Sequence, residues 1–300
     1  MRWGLVGTGP WARMVHAPSL SGHADGRLVA IWGRDAEKRD SFARDFDVQS
    51  SESLEDLLDS VDAVSLAVAP SAQADIAQRA LACGRHLLLE KPVSTDAVVV
   101  QRLADDIPSD VMATVFLTRL FDPVRAAWLC DSIGRGYDHA DVEWVSSSLT
   151  PGSPYADSQW RKAPGGIIWD LMPHVLSQIV PVLGEIVDAD MTDWPERNGK
   201  CGRLRHDGGA TTDLRMTLKA SPDQRAEWIR FSGPDGDSVS PAQALNFVQA
   251  HASAVHAVEC RTQLEDDPLL RVTTVASAVT PTRIMSALAA AGHWALGKEQ

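Results

Sequence analysis

The sequence has 300 residues and a formal net charge of −12, with 44% hydrophobic and 23% charged residues. This composition suits one large or two ordinary globular domains and argues against an intrinsically disordered chain. The negative charge disfavours nucleic acid and anionic membrane surfaces as partners. Neither an apolar run of bilayer-spanning length nor a signal-peptide pattern is evident, so we expect a cytoplasmic protein without membrane association.

The four cysteines lie far apart at positions 83, 130, 201 and 260 and form no CxxC pair. Such spacing is not typical of a disulfide framework or of a structural zinc site. We therefore predict no metal centre.

The first 117 residues alternate short apolar runs with helical patterns. Strands are predicted at residues 3–7, 28–33, 63–69, 86–89 and 112–116, and helices at 10–15, 36–46, 73–83 and 96–104. Ser53 and Asp56 resemble a capping box that opens a further short helix. Strands and helices that alternate at this spacing indicate a doubly wound parallel sheet, the Rossmann architecture.

The pattern changes after about residue 140. Longer, alternating strand-like runs occur at residues 141–147, 210–220 and 226–232, with an apolar helix predicted at 167–183, a loop at 195–209 and a helix at 281–296. Alternation of this kind is typical of an antiparallel sheet with one covered face. We therefore predict a Rossmann domain in residues 1–117. Residues 118–300 are predicted to form an α+β domain with a large, mostly antiparallel sheet.

A glycine-rich turn follows the first predicted strand and opens the first helix. Its residues are Gly7, Thr8, Gly9, Pro10, Trp11 and Ala12, a G-x-G-x-x-A pattern. In this pattern the first glycine permits a tight turn, the second allows the backbone to approach a pyrophosphate, and the alanine keeps helix and strand close. The helix N-terminus then offers N–H groups to the phosphates. We predict a dinucleotide site here.

The second predicted strand ends about 20 residues after the glycine turn, where Rossmann domains place the residue that recognises the adenosine ribose. Gly33 and Arg34 come first, and Lys38 adds a second positive charge. An arginine pairs with a 2′-phosphate, so NADP is favoured as cofactor. Asp35 keeps NAD as the alternative, since a carboxylate at this point binds a ribose hydroxyl.

Two further motifs resemble those of the Gfo/Idh/MocA oxidoreductase family. The first is Glu90-Lys91-Pro92 after the strand at 86–89, and the second is the stretch from Gly165 to His174, which contains Asp170. Trp160 and Arg161 before the second motif, and Arg119 after the last Rossmann strand, agree with the same resemblance. The resemblance extends over nearly the whole chain.

The residues suit the chemistry that this resemblance implies. Hydride transfer to a carbonyl leaves a developing alkoxide, which needs a cation beside it and a proton donor. Lys91 follows a strand at its carboxyl end, where open α/β sheets bind ligands. Asp170 and His174 are four residues apart and share a helix face. The resemblance implies that Lys91 and His174 are catalytic, with Asp170 as their substrate-binding partner.

The remaining site residues are assigned by the same resemblance. The cofactor site includes Ala69, Pro70, Gln73, Glu90 and Lys91, and a small-molecule substrate meets Arg119, Trp160 and Arg161. The resemblance also implies a homodimer or homotetramer formed through the open face of the second-domain sheet. The expected function is hydride transfer between a nicotinamide and a sugar, polyol or related hydroxy or oxo compound.

Two departures from the family pattern leave alternatives open. Gln73 stands where the family often has His, and Met172 stands where it usually has Gly. One alternative is a non-catalytic dinucleotide-binding sensor or a subunit of an assembly. Another keeps the enzyme but uses the nicotinamide transiently, for elimination or glycoside cleavage.

Overall fold

The computed structural model describes residues 1–22, 27–260 and 268–297. Two compact units are formed, one from Met1–Asp122 with Leu245–Val279 and the other from Pro123–Ala244 with Thr280–Gln300. We expected a single boundary at residue 117. The chain instead leaves the first unit after Asp122 and returns to it at Leu245.

The first unit begins with six short strands that alternate with helices. The strands are β1 Trp3–Val6, β2 Leu28–Trp32, β3 Gln49–Ser50, β4 Ala63–Leu66, β5 His86–Leu89 and β6 Ala113–Val115. A π-helical turn, Ala12–His16, continues into α1 Ala17–Ser21, and the other helices are α2 Ala36–Phe46, α3 Leu54–Ser60, α4 Pro70–Ala82 and α5 Ala97–Asp105. Every helix predicted here is present within a few residues, and Ser53 and Asp56 form the expected capping box.

All pairings in this sheet are parallel, and the strand order is β3-β2-β1-β4-β5-β6. The chain thus moves outward from β1 in one direction and then starts again on its other side at β4. This confirms the predicted Rossmann architecture, and it creates a crevice at the carboxyl ends of β1 and β4, where such sheets bind ligands.

The second unit contains most of a seven-stranded mixed sheet. Its elements up to residue 244 are α6 Pro123–Ser132, β7 His139–Val145, α7 Gln159–Lys162, α8 Gly166–Leu183, β8 Ile186–Trp194, β9 Gly199–His206, β10 Thr211–Thr217, β11 Ala226–Gly233 and β12 Gly236–Val239. The strand order is β12-β11-β7-β10-β9-β8-β13, where β13 is His293–Ala295, and only β7 and β10 pair in parallel. The predicted large, mostly antiparallel sheet is confirmed.

The loop expected at residues 195–209 is wrong. After a 3-10 turn at Pro195–Arg197 the chain forms β9, an interior strand between β8 and β10. Arg203 and Arg205 lie on its exposed face, while Leu204 is fully buried. Because β9 contains few apolar residues, its alternation of buried and exposed positions is hard to see in the sequence. Pairing with β8 and β10 makes it a regular strand.

The final segments return first to one unit and then to the other. The helices α9 Phe247–Glu259 and α10 Pro268–Val272 belong to the first unit, and α11 Val279–Ala291 precedes β13. The helix expected at residues 281–296 is therefore too long, because Gly292 ends it with a φ of 70° and residues 293–295 pair with β8.

Helix α9 explains why the first unit includes a distant segment. It packs against α1, β5 and β6, and Ala250, Ala254 and Val258 are fully buried in the same core as Trp3 and Leu5. The apolar face of α9 thus covers one side of the Rossmann sheet. Nothing local in residues 245–260 reveals which part of the chain this face meets.

Helix α8 is 18 residues long and apolar enough to span a membrane by length and composition alone. The expectation that no segment reaches this length is therefore wrong. However, 78% of its residues are buried within the protein, and it packs against β7, β9 and β10. The helix is the core helix of the second unit.

Candidate functional site

The glycine turn after β1 is shaped by its contacts with β4. Gly7 has a φ of 121°, and a Cβ added there would lie 2.3 Å from the carbonyl oxygen of Ala67. Only glycine fits at this position, because both its backbone angle and its neighbour exclude a side chain. Gly9, in contrast, would point a Cβ into open space. The turn is therefore closed toward the sheet and open at Gly9.

A cavity of about 720 Å³ lies at the carboxyl ends of β1, β2 and β4. Several predicted cofactor residues line it, namely Gly7, Thr8, Gly9, Gly33, Arg34, Lys38 and Ala69. Its lining also includes Asp35, the residue that keeps NAD as the alternative, and residues that sequence reasoning did not mark, namely Val6, Trp32, Ala67, Val68, Ala72 and Ile76. Val6 and Trp32 end their strands, and Ala67 and Val68 follow β4 directly. Ala72 and Ile76 lie on α4. The sequence does not show that these positions share one edge of the sheet, because that depends on the strand order.

One end of the cavity carries charged groups at the start of α2. The Asp35 side chain caps this helix by accepting from the Lys38 backbone N–H at 3.1 Å, and it also pairs with Lys38 Nζ at 3.2 Å. The backbone hydrogen bond is the main reason why the pKa of this exposed carboxyl is lowered. Arg34 lies beside it and is exposed. The aspartate is thus already engaged by its own helix, while the arginine extends into solvent.

The turn that carries Lys91 is held by a buried glutamine. Gln73 Nε2 lies 2.6 Å from the carbonyl oxygen of Glu90, 3.1 Å from that of Pro92 and 3.2 Å from that of Val93. Its Oε1 accepts from the Glu90 backbone N–H at 2.8 Å. The Lys91–Pro92 peptide is cis. Gln73 is fully buried, so its side chain serves to hold the backbone on both sides of Lys91.

The Glu90 carboxylate joins this turn to the helix after the glycine turn. Its Oε1 accepts from Trp11 Nε1 at 2.6 Å and from His16 Nε2 at 3.1 Å, and its Oε2 accepts from the Lys91 backbone N–H at 3.3 Å. Glu90 is only 8% exposed. The predicted residues Trp11 and Glu90 are thus in contact, and His16 is a neighbour that motif reasoning missed.

The other predicted cofactor residues of the first unit do not line the cavity, as far as the described residues show. They are Pro10, Trp11, Ala12, Pro70, Gln73, Glu90 and Lys91. Ala12 is fully buried where the helix packs on the sheet, and Pro70 is the first residue of α4. Their part in cofactor binding stays a prediction.

Arg119, predicted to meet substrate, also belongs to the first unit. Its Nη1 donates to Thr118 Oγ1 at 2.8 Å, and its guanidinium lies over the ring of Phe247 at 5.4 Å from the centroid. The side chain is 6% exposed. The partner Phe247 begins α9, a contact that local sequence could not indicate.

In the second unit, α8 carries Asp170 and His174 one turn apart, and they are 4% and 8% exposed. Both Asp170 oxygens accept from Arg161, at 2.9 Å from Nε and 3.2 Å from Nη2. The Arg161 guanidinium is stacked on Trp160 at 4.2 Å and on Tyr155 at 4.7 Å. The structure thus brings the predicted residues Trp160, Arg161 and Asp170 together, with arginine as the direct partner of the carboxylate.

The imidazole of His174 stacks on the indole of Trp144, with ring centroids 5.4 Å apart and an interplanar angle of 16°. Gln178 Nε2 donates to the His174 carbonyl at 2.7 Å, and the buried Arg125 donates from Nη1 to Gln178 Oε1 at 3.2 Å. Met172 is fully buried in the core. The motif did not predict that Trp144 and Arg125 help to position His174, since these residues lie on β7 and α6.

Comparison with known proteins agrees with this architecture. Residues 1–109 match the model of a family described as an oxidoreductase family with an NAD-binding Rossmann fold. An uncharacterized oxidoreductase of Synechocystis sp. is 37% identical over 93 residues, which are 30% of this chain and 25% of that protein. Inositol 2-dehydrogenase of Rhizobium meliloti is 32% identical over 127 residues, 41% of this chain and 38% of that protein. The matched segment thus spans less than half of either curated relative.

A solved structure resembles the chain over nearly its whole length. The myo-inositol dehydrogenase of Lactobacillus casei, in complex with NAD(H) and myo-inositol, has a TM-score of 0.81 at 17% identity, and the match covers 100% of this chain and 98% of that one. At this identity the similarity shows a shared fold, including the second unit that the family model does not reach.

Proposed function

We propose that the chain is an NAD(P)-dependent oxidoreductase of the Gfo/Idh/MocA family that acts on a sugar, polyol or related hydroxy or oxo compound. The observation that carries this proposal is the cavity at the switch point of the Rossmann sheet, which the glycine turn closes on one side. Ligands of such sheets bind at this crevice. The relative from Rhizobium meliloti acts on inositol, which supports a polyol as the substrate class.

The residues around the cavity fit a dinucleotide. The open side of Gly9 leaves room for a pyrophosphate close to the backbone, and Thr8 and Gly33 continue the same wall. The bound nicotinamide supplies hydride acceptance or donation. The chain itself binds the phosphates through backbone N–H groups at the start of the helix that follows Gly9.

The polar residues of the two motifs provide the proton chemistry of the proposal. Oxidation of an alcohol removes a hydride from carbon and a proton from oxygen, so the oxygen needs both a cation and a base. We propose Lys91 as the cation and His174 as the group that takes the proton or returns it in the reverse direction, the roles that the family resemblance implies. Asp170 orients the substrate, and the bidentate Arg161 pairing holds its carboxylate in one position.

Substitution of the two proposed catalytic residues tests this function. With a panel of cyclic polyols and sugars, the wild type should change nicotinamide absorbance. Lys91→Ala and His174→Ala should lower kcat by about 100-fold or more while a dinucleotide still binds. Lys162→Ala is the matched control, because Lys162 is an exposed lysine paired with Asp157. Turnover by both variants at the wild-type rate would overturn the assignment.

We favour NADP over NAD as the cofactor. Asp35 is occupied by the cap of α2, whereas Arg34 is exposed at the same end of the cavity and suits a 2′-phosphate. Arg34→Ala should raise the Kd for NADPH about tenfold and leave the Kd for NADH within about twofold. Arg44→Ala, an exposed arginine in the last turn of the same helix, is the control. Tighter binding of NADH than of NADPH by the wild type would contradict the preference.

We also propose a homodimer or homotetramer formed through the exposed face of the second sheet, as the family resemblance implies. Charged pairs cover this face, including Arg203 with Asp213 and Arg230 with Asp141. Two groups on this face have the residue types and spacing of metal ligands, but arginines pair with their carboxylates. The groups are His139 with Asp141 and Asp213, and Asp188 with Asp190 and His293. Sedimentation equilibrium tests the assembly, and a monomer at all concentrations would contradict it.

A further inference from the structure

A buried hydrogen-bonded cluster in the first unit has no part in the mechanism proposed above. Ser65 Oγ lies 2.8 Å from His16 Nδ1 and 3.2 Å from His251 Nε2, and these two ring nitrogens are 3.1 Å apart. His251 Nδ1 contacts Ser19 Oγ at 2.9 Å, and His16 Nε2 contacts Glu90 Oε1 at 3.1 Å. All five residues are at most 8% exposed. The cluster therefore runs without interruption from α9 to the residue before Lys91.

The chemistry of the cluster sets the direction of its hydrogen bonds. Burial, and secondly the charge of His16, keep the pKa of His251 well below its usual value, so this ring is neutral. A carboxylate only accepts hydrogen bonds, so His16 must donate from Nε2 to Glu90. When Nε2 is the only ring nitrogen of His16 that carries a proton, Nδ1 accepts from Ser65 Oγ or His251 Nε2. The contacts made by Nδ1 thus hold His16 in the tautomer whose Nε2 proton points to Glu90.

Glu90 connects the His16 imidazole to the backbone of Lys91, the next residue. One carboxylate oxygen is held by His16 and Trp11, and the other accepts from the backbone N–H of Lys91. Such a carboxylate is fixed at both ends, because charge-assisted hydrogen bonds are shorter and stronger than neutral ones. A small displacement of a reacting group lowers the rate strongly, so the support matters for catalysis.

We propose that His16 is a positioning residue, which orients Glu90 and through it the backbone of Lys91, with His251 and Ser65 fixing the imidazole of His16. This inference rests on the proposed function of Lys91. It explains why two histidines are buried beside a strand end that carries a catalytic group. It also gives α9 a role beyond packing, since His251 is its contribution to the cluster.

Two near-isosteric variants separate positioning from packing. Gln places an amide nitrogen near the position of the imidazole Nε2 and can still donate to Glu90, whereas Asn replaces only the Nδ1 side. We expect His16→Gln to keep kcat within about threefold of the wild type and His16→Asn to lower it about tenfold to 100-fold. The KM for substrate and the Kd for dinucleotide should change less than kcat. His256→Gln, an exposed histidine on α9, is the control.

Competitive acetylation followed by mass spectrometry provides a readout that needs no turnover. The labelling rate of Lys91, taken relative to that of Lys162 in the same sample, should change about threefold or more in His16→Asn and little in His16→Gln. Equal effects of the two variants, or losses that simply follow the melting temperature, would overturn the inference. If no substrate is turned over by the wild type, the proposed function fails, and the labelling ratio still decides whether His16 positions Lys91.

Discussion

Gly7 and Gly9 lie in the same turn but have opposite surroundings. A Cβ at Gly9 would meet no atom within 4 Å, whereas one at Gly7 would collide with the carbonyl of Ala67. We predict that Gly9→Ala leaves the melting temperature unchanged and weakens dinucleotide binding about tenfold or more, because the methyl group enters the space left for the pyrophosphate. Calorimetric titration with NADPH and thermal unfolding measure the two effects.

Two other glycine variants serve as controls for Gly9→Ala, one expected to destabilise the fold and one expected to have no effect. Gly7→Ala should lower the free energy of unfolding by more than about 1 kcal/mol, since the left-handed backbone and the clash both act on the folded state. Gly208→Ala, in an exposed turn of the second unit where an added Cβ would meet no atom within 4 Å, should change neither property. Unchanged affinity in Gly9→Ala would show that no pyrophosphate approaches this turn.

The single residues that sequence could identify are those whose role is set by a local pattern. The spacing of Gly7 and Gly9 predicts their turn. Asp170 and His174 are four residues apart, which places them on the same helix face. His16 and His251 meet across 235 positions of the chain, so no local pattern relates them. The partner of Asp170 was equally hidden, because the Arg161 contact depends on how α7 meets α8.

Among the secondary-structure elements, α4 carries Gln73, whose side chain hydrogen-bonds the backbone that follows β5. Gln73→Met keeps the volume but removes the hydrogen bonds to Glu90, Pro92 and Val93. We predict a loss of about 2–4 kcal/mol in the free energy of unfolding, because buried backbone groups are left unsatisfied. The kcat should fall more than the affinity for dinucleotide. Urea denaturation and steady-state kinetics measure these changes.

Gln78→Met on the same helix is the matched control. Within the described part of the chain its amide bonds only Asp106, at the surface, so its loss should change the free energy of unfolding by less than about 0.5 kcal/mol. A stability of Gln73→Met equal to that of the control would contradict the role assigned to the buried amide. Family resemblance marked position 73 as a departure, but only the structure shows that glutamine holds the Lys91 turn.

Element type was predictable where a strand is a short continuous apolar run or where a helix has its own caps. Strands β1, β2 and β5 and helices α2 and α3 match the predicted positions closely. Strand β9 was missed because Lys200, Arg203 and Arg205 made it look like a loop, and its regularity comes from pairing with β8 and β10. The assignment of α9 to the first unit depends on tertiary packing, which overrides position in the chain.

At the scale of the whole molecule, each unit buries a histidine whose pKa is lowered by desolvation. These are His251 in the first unit and His206 in the second, where His206 contacts the Gly184 carbonyl and Thr212 Oγ1. In the folded state both rings resist protonation, while in the unfolded chain they titrate near 6.5. As the pH falls below about 6.5, the unfolded state therefore binds more protons than the folded state.

We predict that the free energy of unfolding falls between pH 7.5 and pH 5.5, by up to about 1.4 kcal/mol per pH unit for each histidine below 6.5. The carboxyl groups with lowered pKa, such as Asp213 beside Arg203, lose stability only at lower pH, so they do not contribute in this window. His206→Asn retains a group near the Gly184 carbonyl and should flatten the slope. His256→Asn, which changes an exposed ring, should not. Urea denaturation at several pH values measures the slope, and an equal slope in His206→Asn and the wild type would exclude His206 as a source.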